Sequence, residues 1–511
     1  MVESSPTTRS YLILGVCVTL AVVLGYFLAS PLESDSLGVI LMVLAVLVTP
    51  LLLRWHHPLL VFSWNAPIFL SFLPGNMAAG TVMVFVSLFF TLLDRAMGRS
   101  AEYPRAPQIT RSLAFFAVVV VVTAWLTGGV GIRALGGSSF GGRKYILLLT
   151  GIVAYFAISG QRIPRAKAQS YGALYFLSGF LVLIGIAGDL SGGGGGVLQS
   201  FFPESFMQED EGPTGGVVRW SSINFVTIGL FCFLLMRYGV RGVLDVQRPW
   251  RGLLLVVTLG LTLLAGFRSV LVLYFVLFAT LFYLERLYRT RLLPIILLGG
   301  LLTGAAILPF IRHFPLSVQR TLSFLPVEID SVAQNSAAGS TEWRLQMWEE
   351  LLPDVPKYLI KGKGYSVDPN DMFMVWQSGL RGYGKSFEFA QFNGDYHSGP
   401  FSVLIPFGLF GVAAFIWFCT ASLRILYLNY RDGEEELRGL NRFLLALFIT
   451  RLFFFVFIFG SISSDLIQFT GLVGLGVSLN HRKPARSAEG ADVVTGSVAL
   501  IRRRNPWLQA G

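Results

Sequence analysis

An all-α, polytopic membrane protein is the fold class this sequence predicts, and three observations predict it. Hydrophobic residues make up 54% of the 511 positions and the mean hydropathy is +0.64, well above a soluble domain. Apolar windows long enough to span a bilayer recur along the whole chain. Between them Lys and Arg gather in alternate loops, the signature of a cytoplasmic side.

The windows lie at 11–29, 37–54, 58–74, 78–94, 112–128, 144–159, 171–189, 221–238, 251–266, 269–286, 293–311, 399–425, 439–458 and 463–479. Some are short or interrupted by Pro, so about 12–14 transmembrane helices are expected. Basic residues cluster at Arg54, at Arg95 to Arg111, at Arg162 to Lys167, at Arg237 to Arg251 and at Arg286 to Arg291. These loops are predicted to be cytoplasmic, with both termini on that side. Arg133, Arg143 and Lys144 break the alternation, which suggests a place where an anionic substrate is met.

Four regions follow: an N-terminal bundle at 1–311 with a Gly-rich outer loop at 190–220, a large extracytoplasmic loop at 312–398, C-terminal helices at 399–480, and a basic cytoplasmic tail at 481–511. The first span has no cleavage signal and is expected to be retained. The net charge of +11 is mostly this topological signal, so nucleic acid is not an expected partner, whereas the bilayer is. Cys17, Cys232 and Cys419 all lie in apolar windows, which excludes a disulfide framework and a Cys-based zinc site. No internal repeat of the alternating-access kind is visible.

Chemistry is concentrated in the hydrophilic stretch from Arg312 to Ser398. Within it Thr341 to Leu352 has helical periodicity, with Thr341 or Ser340 as N-cap, ended by Pro353 and Pro356. Gly362 and Gly364 then allow a tight backbone path. The aromatics Trp376, Tyr383, Phe387, Phe389, Phe392 and Tyr396 suit either sugar stacking or an interfacial belt. The glycines Gly192 to Gly196 read as a lid, because no Lys-Ser or Lys-Thr follows them as a phosphate loop requires.

Arg268 divides an apolar run too long for one span and therefore sits at the outer surface, on the same side as Arg344. Two guanidinium groups offer the planar, permanently charged forks that a diphosphate needs, although an interfacial snorkelling arginine is the plainer reading of either alone. His397, where the chain re-enters the membrane, has the pKa range to take a proton from a hydroxyl. Arg451 lies within a span, where charge is costly and usually paired or functional, and Asp465 is a candidate partner. Glu33 and Asp35 read as solvated charges in the first outer loop.

The order and sidedness of these groups resemble the O-antigen ligase and polymerase superfamily, bacterial membrane glycosyltransferases that use polyprenyl-diphosphate glycans. The resemblance runs from about residue 215 to about 425 and rests on Arg219 with Asn224, Gly266-Phe267-Arg268-Ser269, Arg344-Leu345 with Trp348, Gly362-Lys363-Gly364, and His397-Ser398 followed by Gly408-Leu409-Phe410-Gly411. Phe267, Ile223 and Ser398 depart from the family pattern, which has a small polar residue, Pro and Asn there. The resemblance implies a site on the outer face of the bacterial inner membrane. His397, Arg268 and Arg344 would be catalytic, and Arg219, Asn224, Gly362, Gly364 and Arg451 would bind substrate. The implied reaction inverts the anomeric centre without metal or cofactor. Its first form is polymerisation of polyprenyl-diphosphate-linked repeat units of a surface polysaccharide, with a chain-length regulator as partner. Ligation of the glycan to lipid A core is the second form. A lipid-linked-glycan flippase or other transporter is the rival of another class, since arginine-lined cavities also serve anionic cargo.

Overall fold

The computed structural model describes residues 34–70, 76–98, 106–129, 141–190, 219–381 and 387–480, with a few isolated positions besides. Nearly all of the expected span at 11–29 and of the Gly-rich loop at 190–220, the tail at 481–511, and Cys17, Glu33, Arg133 and Tyr383 lie outside the described residues.

Helix α1 (Ser34–Ser63) runs through Pro50 and Pro58 as one element, correcting the two spans that hydropathy predicts at 37–54 and 58–74. The polar run Arg54-Trp55-His56-His57 suggests a loop, but its histidines are satisfied inside the bundle. His56 Nδ1 pairs with Ser87 Oγ at 2.9 Å and its Nε2 with Gln161 at 2.8 Å, while His57 Nε2 meets the Ile158 carbonyl at 2.8 Å. A bend then leads into a two-stranded antiparallel hairpin, β1 (Phe69–Leu70) with β2 (Met77–Ala78). One helix in place of two puts Asp35 in the first turn of α1, at its end away from this hairpin, and puts Arg54 within a helix.

The chain continues through α2 (Ala79–Ala96), α3 (Pro107–Thr127) and α4 (Gly142–Ser159) to a bent span made of α5 (Ala168–Leu177), a 3-10 turn and α6 (Val182–Leu190). Next come α7 (Ser221–Val243), α8 (Pro249–Leu264), α9 (Arg268–Leu284) and α10 (Leu292–Ile307). The hydrophilic region folds as α11 (Leu316–Thr321), α12 (Ser331–Leu351), α13 (Val355–Tyr358), α14 (Pro369–Leu380) and α15 (Glu388–Phe392), and the chain closes with α16 (Gly399–Asp432), α17 (Arg438–Phe457) and α18 (Ile462–Leu479). Among the described residues nine helical segments are long and apolar enough to cross a membrane, and the shorter apolar α8 and α9 accompany them. The protein is an all-α, multi-pass membrane protein.

Its core is the pairing of α18 with α4, made close by small residues. A Cβ built on Gly151 would lie 3.3 Å from the Ile467 amide and one on Gly474 3.1 Å from Ile158. In a bilayer, where burial of apolar surface gives little drive, such close backbone approach supplies the packing. Asn441 and Asn480 pair side chain to side chain at 2.7 Å, tying α17 to the end of α18.

The two ends of the bundle differ in kind. At one end the basic connections meet: Glu285 accepts from the amides of Val240 and Arg241, Arg442 lies 3.3 Å from Glu285, and Arg165 pairs with Glu434. At the other end stand the hairpin and the helices of 312–398. Helix α16 anchors that region because it is broken at Gly408 (φ 61°), two residues after Pro406. The freed carbonyls of Ile405 and Pro406 accept from Lys363 N at 2.8 Å and Gly364 N at 3.1 Å, and Leu409 N donates to Leu359 O at 2.8 Å. Gly362 (φ 76°) has to be glycine here, since a Cβ would come 2.2 Å from the Pro406 oxygen.

Helix α12 begins ten residues before the sequence-predicted Thr341, with Asp330 as N-cap accepting from Val332 N at 2.8 Å. Its first turns are Ala, Ser, Asn and Gly, too polar to show hydrophobic periodicity, yet Ala333, Ser336 and Ala337 are small enough to be buried against α11.

With the native cysteines replaced, Val332→Cys and Val246→Cys, both at exposed positions, should react with an impermeant thiol reagent from opposite sides of the membrane. Labelling of both from the same side would contradict the segregation of the two ends.

Candidate functional site

The turn between α8 and α9 makes the first part of the site. Gly266 takes a left-handed φ of 79°, and Phe267 caps α9 so that Arg268 opens the helix at its outer end. The half-buried Arg268 guanidinium donates to the Ala337 carbonyl at 2.8 Å and reaches Thr341 Oγ1 and Ser323 Oγ at 3.4 Å. Beneath it Arg320, which is 3% exposed, donates to Ser336 Oγ at 2.9 Å, Ser340 Oγ at 3.0 Å and the Gly266 carbonyl at 2.5 Å. One buried side chain thus fixes both the turn that carries Arg268 and the helix that faces it.

That helix, α12, serves as the ruler of the site. Ala337, Thr341, Arg344 and Trp348 recur at helical spacing along one stripe. The stripe meets Arg268 at its first two members. Farther along, Trp348 Nε1 donates to the Tyr396 carbonyl at 2.8 Å, which fixes the segment leading to His397. Arg344 lies over the Phe459 ring, 5.7 Å from its centroid. Burial lowers the basicity of its guanidinium, and the charges of Arg268 and Arg219 lower it further. Arg219 in turn lies 5.5 Å from the Phe267 centroid, and the neighbouring Trp220 amide donates to Ala265 O at 3.1 Å. The sequence-predicted Arg219, Arg268 and Arg344 are therefore one electrostatic group.

His397 completes it. The imidazole stands between the edges and faces of Trp343 and Phe459, with ring centroids 5.0 and 5.1 Å away. Its φ is 49°, an uncommon left-handed conformation that histidine tolerates better than most residues and that recurs at functional positions. Nδ1 is buried with no hydrogen-bond partner among the described residues, and so is Asp395 Oδ1. Burial holds the imidazole pKa below the ordinary 6.5; Asp395 opposes this, and Arg344 and Lys144 add to it. The group is therefore neutral near pH 7 and available as a base. Lys144, which the irregular charge pattern singles out, enters the cluster from the first turn of α4, with its ammonium 5.4 Å from the Tyr365 centroid.

The other sequence-predicted residues go elsewhere. Gly362 and Gly364 pack against α16, α3 and Tyr145, and the amides of Lys363 and Gly364 are taken up by α16 carbonyls, so these glycines frame the site from behind. Asn224 and Arg451 line a separate cavity of about 380 Å³ together with Asp465, Gln468, Trp64 and Tyr175. Here Asn224 Oδ1 is buried without a hydrogen-bond partner among the described residues. Arg451 and Asp465 make no direct ion pair there, although each feels the other's charge. Glu349 is exposed.

Arg320 and Phe459 are the residues that sequence reasoning misses. A lone arginine in a polar region carries no signal, and a phenylalanine beside a phenylalanine-rich span carries none either.

Replacing Arg320 with Met should lower stability by about 2–4 kcal/mol, because three buried acceptors lose a charged donor. Arg344→Met, which removes a cation from among cations, should stay within about 1 kcal/mol of the parent. Thermal unfolding in detergent measures both, and equal effects would remove Arg320 from its bracing role. No family model matches this sequence, and no curated protein matches it.

Proposed function

We propose that this protein is an inverting membrane glycosyltransferase that polymerises polyprenyl-diphosphate-linked oligosaccharide units at the outer face of a bacterial inner membrane. The observation that carries the reading is the grouping of Arg219 and Arg268 about Arg344, and of Arg344 and Lys144 about an imidazole that burial keeps neutral. Surplus positive charge fits a diphosphate, and a neutral histidine among cations fits a base.

In this reading Arg268 and Arg344 hold the donor diphosphate and stabilise the charge that grows on it as the anomeric C–O bond breaks. His397 takes the proton of the acceptor hydroxyl as its oxygen bonds to the anomeric carbon from the opposite face. Polyprenyl diphosphate leaves, and Asp395, whose charge favours the imidazolium, stabilises His397 while it carries the proton. The cavity with Trp64, Tyr175, Asn224, Arg451 and Asp465 offers the mix of aromatic and polar groups that suits a sugar.

Purified protein given only a polyprenyl-diphosphate repeat unit should yield a ladder of longer lipid-linked glycans. A single product formed only when lipid A core is supplied would make it a ligase, and movement of the glycan across vesicles with no new glycosidic bond would make it a transporter. Arg268→Lys and Arg344→Lys should each reduce turnover by about a hundredfold, since an ammonium keeps the charge but loses the fork.

The pH profile tests the base. Activity needs neutral His397, so it should fall as pH drops through the imidazole pKa, with the acid limb below 6.5. Lys144→Met removes a charge that depresses this pKa and should move the limb up, whereas Asp395→Asn removes one that raises it and should move the limb down. Shifts in the same direction, or none, would place the base elsewhere.

A further inference from the structure

At the end of the bundle away from His397 lies a second large cavity, of about 1140 Å³, between α7, α9, the start of α10 and the start of α17. Glu285 forms its floor: it accepts from the Val240 and Arg241 amides at 3.1 Å, exposed by the kink at Gly239 (φ 65°), and Arg442 lies 3.3 Å away. These groups satisfy one another. Arg237, Arg241 and Arg291 line the same space, and their guanidinium groups have no carboxylate partner among the described residues; Asp245 is the one further acid in the wall. The cavity thus keeps a surplus of positive charge after its internal pairing.

Its remaining wall mixes Gln169, Gln247 and Thr290 with apolar residues and ends on Leu292 and Ile295 of α10. Among the helices long enough to span a membrane that one stands apart, because none of its residues is buried: Ile295, Leu298 and Leu302 on one side are 61%, 58% and 61% exposed, and Leu297 and Leu301 on the other are 64% and 69%. A basic recess therefore opens directly onto an unpartnered hydrocarbon face. Trp250, Tyr283 and Tyr288 are exposed at this level, Tyr283 stacked on Tyr288 with centroids 5.4 Å apart, as aromatic side chains at a membrane–water boundary are.

We propose that this cavity binds one anionic diacyl phospholipid, its phosphate held by Arg237, Arg241 and Arg291 and its acyl chains laid between α10 and the bundle. Charge selects the headgroup, and the bare helix selects a ligand with a tail over a free anion. Basic residues that only set orientation would be scattered through separate loops; here the end of α7 and the connection before α10 deliver them to one recess. The proposal is independent of the glycosyltransferase reading, since it concerns the opposite end of the molecule.

Native mass spectrometry of the full-length protein, released from nanodiscs of phosphatidylcholine containing a minority of phosphatidylglycerol, tests it. The wild type should retain one phosphatidylglycerol, and the triple variant Arg237→Gln, Arg241→Gln, Arg291→Gln should lose that preference by about two orders of magnitude. Inorganic phosphate should not displace the lipid. Equal retention by the variant, equal retention of phosphatidylcholine, or displacement by inorganic phosphate would each overturn the proposal. Should the triple variant fold poorly, the wild type alone decides: phosphatidylglycerol added to the detergent-solubilised protein should raise its Tm and phosphatidylcholine should not. An equal response to both lipids would likewise overturn it.

Discussion

The geometry of the arginine and histidine site depends on one buried guanidinium. Arg320 holds the Gly266 carbonyl on one side and two serines of α12 on the other, so it locks a turn between two membrane helices to a helix that lies outside them. A charge in so dry a place is costly unless its donors are used, and here three different oxygens use them. Arg268 springs from that turn and Arg344 from that helix, so the separation between these two half-buried cations is set by a third that is almost wholly buried. The site is in this sense preorganised, with repulsion among like charges opposed by a hydrogen-bonded brace.

Much of this was legible in the sequence where the physics is additive. Hydropathy sums over a window, so most spans could be placed within a few residues, and the charge pattern gave the two ends of the bundle. Legibility failed where one residue's partner is remote. The histidines of α1 look like a polar break until Ser87, Gln161 and Ile158 are seen to satisfy them. The small residues that begin α12 look like a loop because they are polar, although smallness is what lets them pack. Arg268, Arg344 and His397 could be proposed because each interrupts an apolar context. Arg320 interrupts nothing, and its role exists only in three dimensions. Lys144 lies between these cases, visible as an exception to a rule before its neighbours Asp395 and His397 were known.

Two kinds of space separate along the bundle. Near the site end, the cavity of Asn224, Arg451 and Asp465 is small, aromatic and polar, with a buried oxygen that still wants a partner. At the other end the cavity is three times larger, basic, and open to a helix most of whose apolar surface is exposed. An unmet hydrogen bond among polar groups calls for a ligand with hydroxyls, whereas unmet charge beside bare hydrocarbon calls for an amphiphile. The same chain thus presents two distinct chemical demands in neighbouring parts of one bundle, since α7 lines both cavities, the first as far as Cys232 and the second from Leu235 onward.

The break in α16 has a consequence for how the molecule is made. Residues 359–364 emerge from the ribosome before the carbonyls of Ile405 and Pro406 that will hold them, so the polar region cannot close when it is first made. It waits until α16 is synthesised, inserted and kinked. The region at 312–398 is therefore no autonomous unit: cut free of the membrane helices it would lose the backbone partners that shape it, and the order of assembly runs from the bilayer outward.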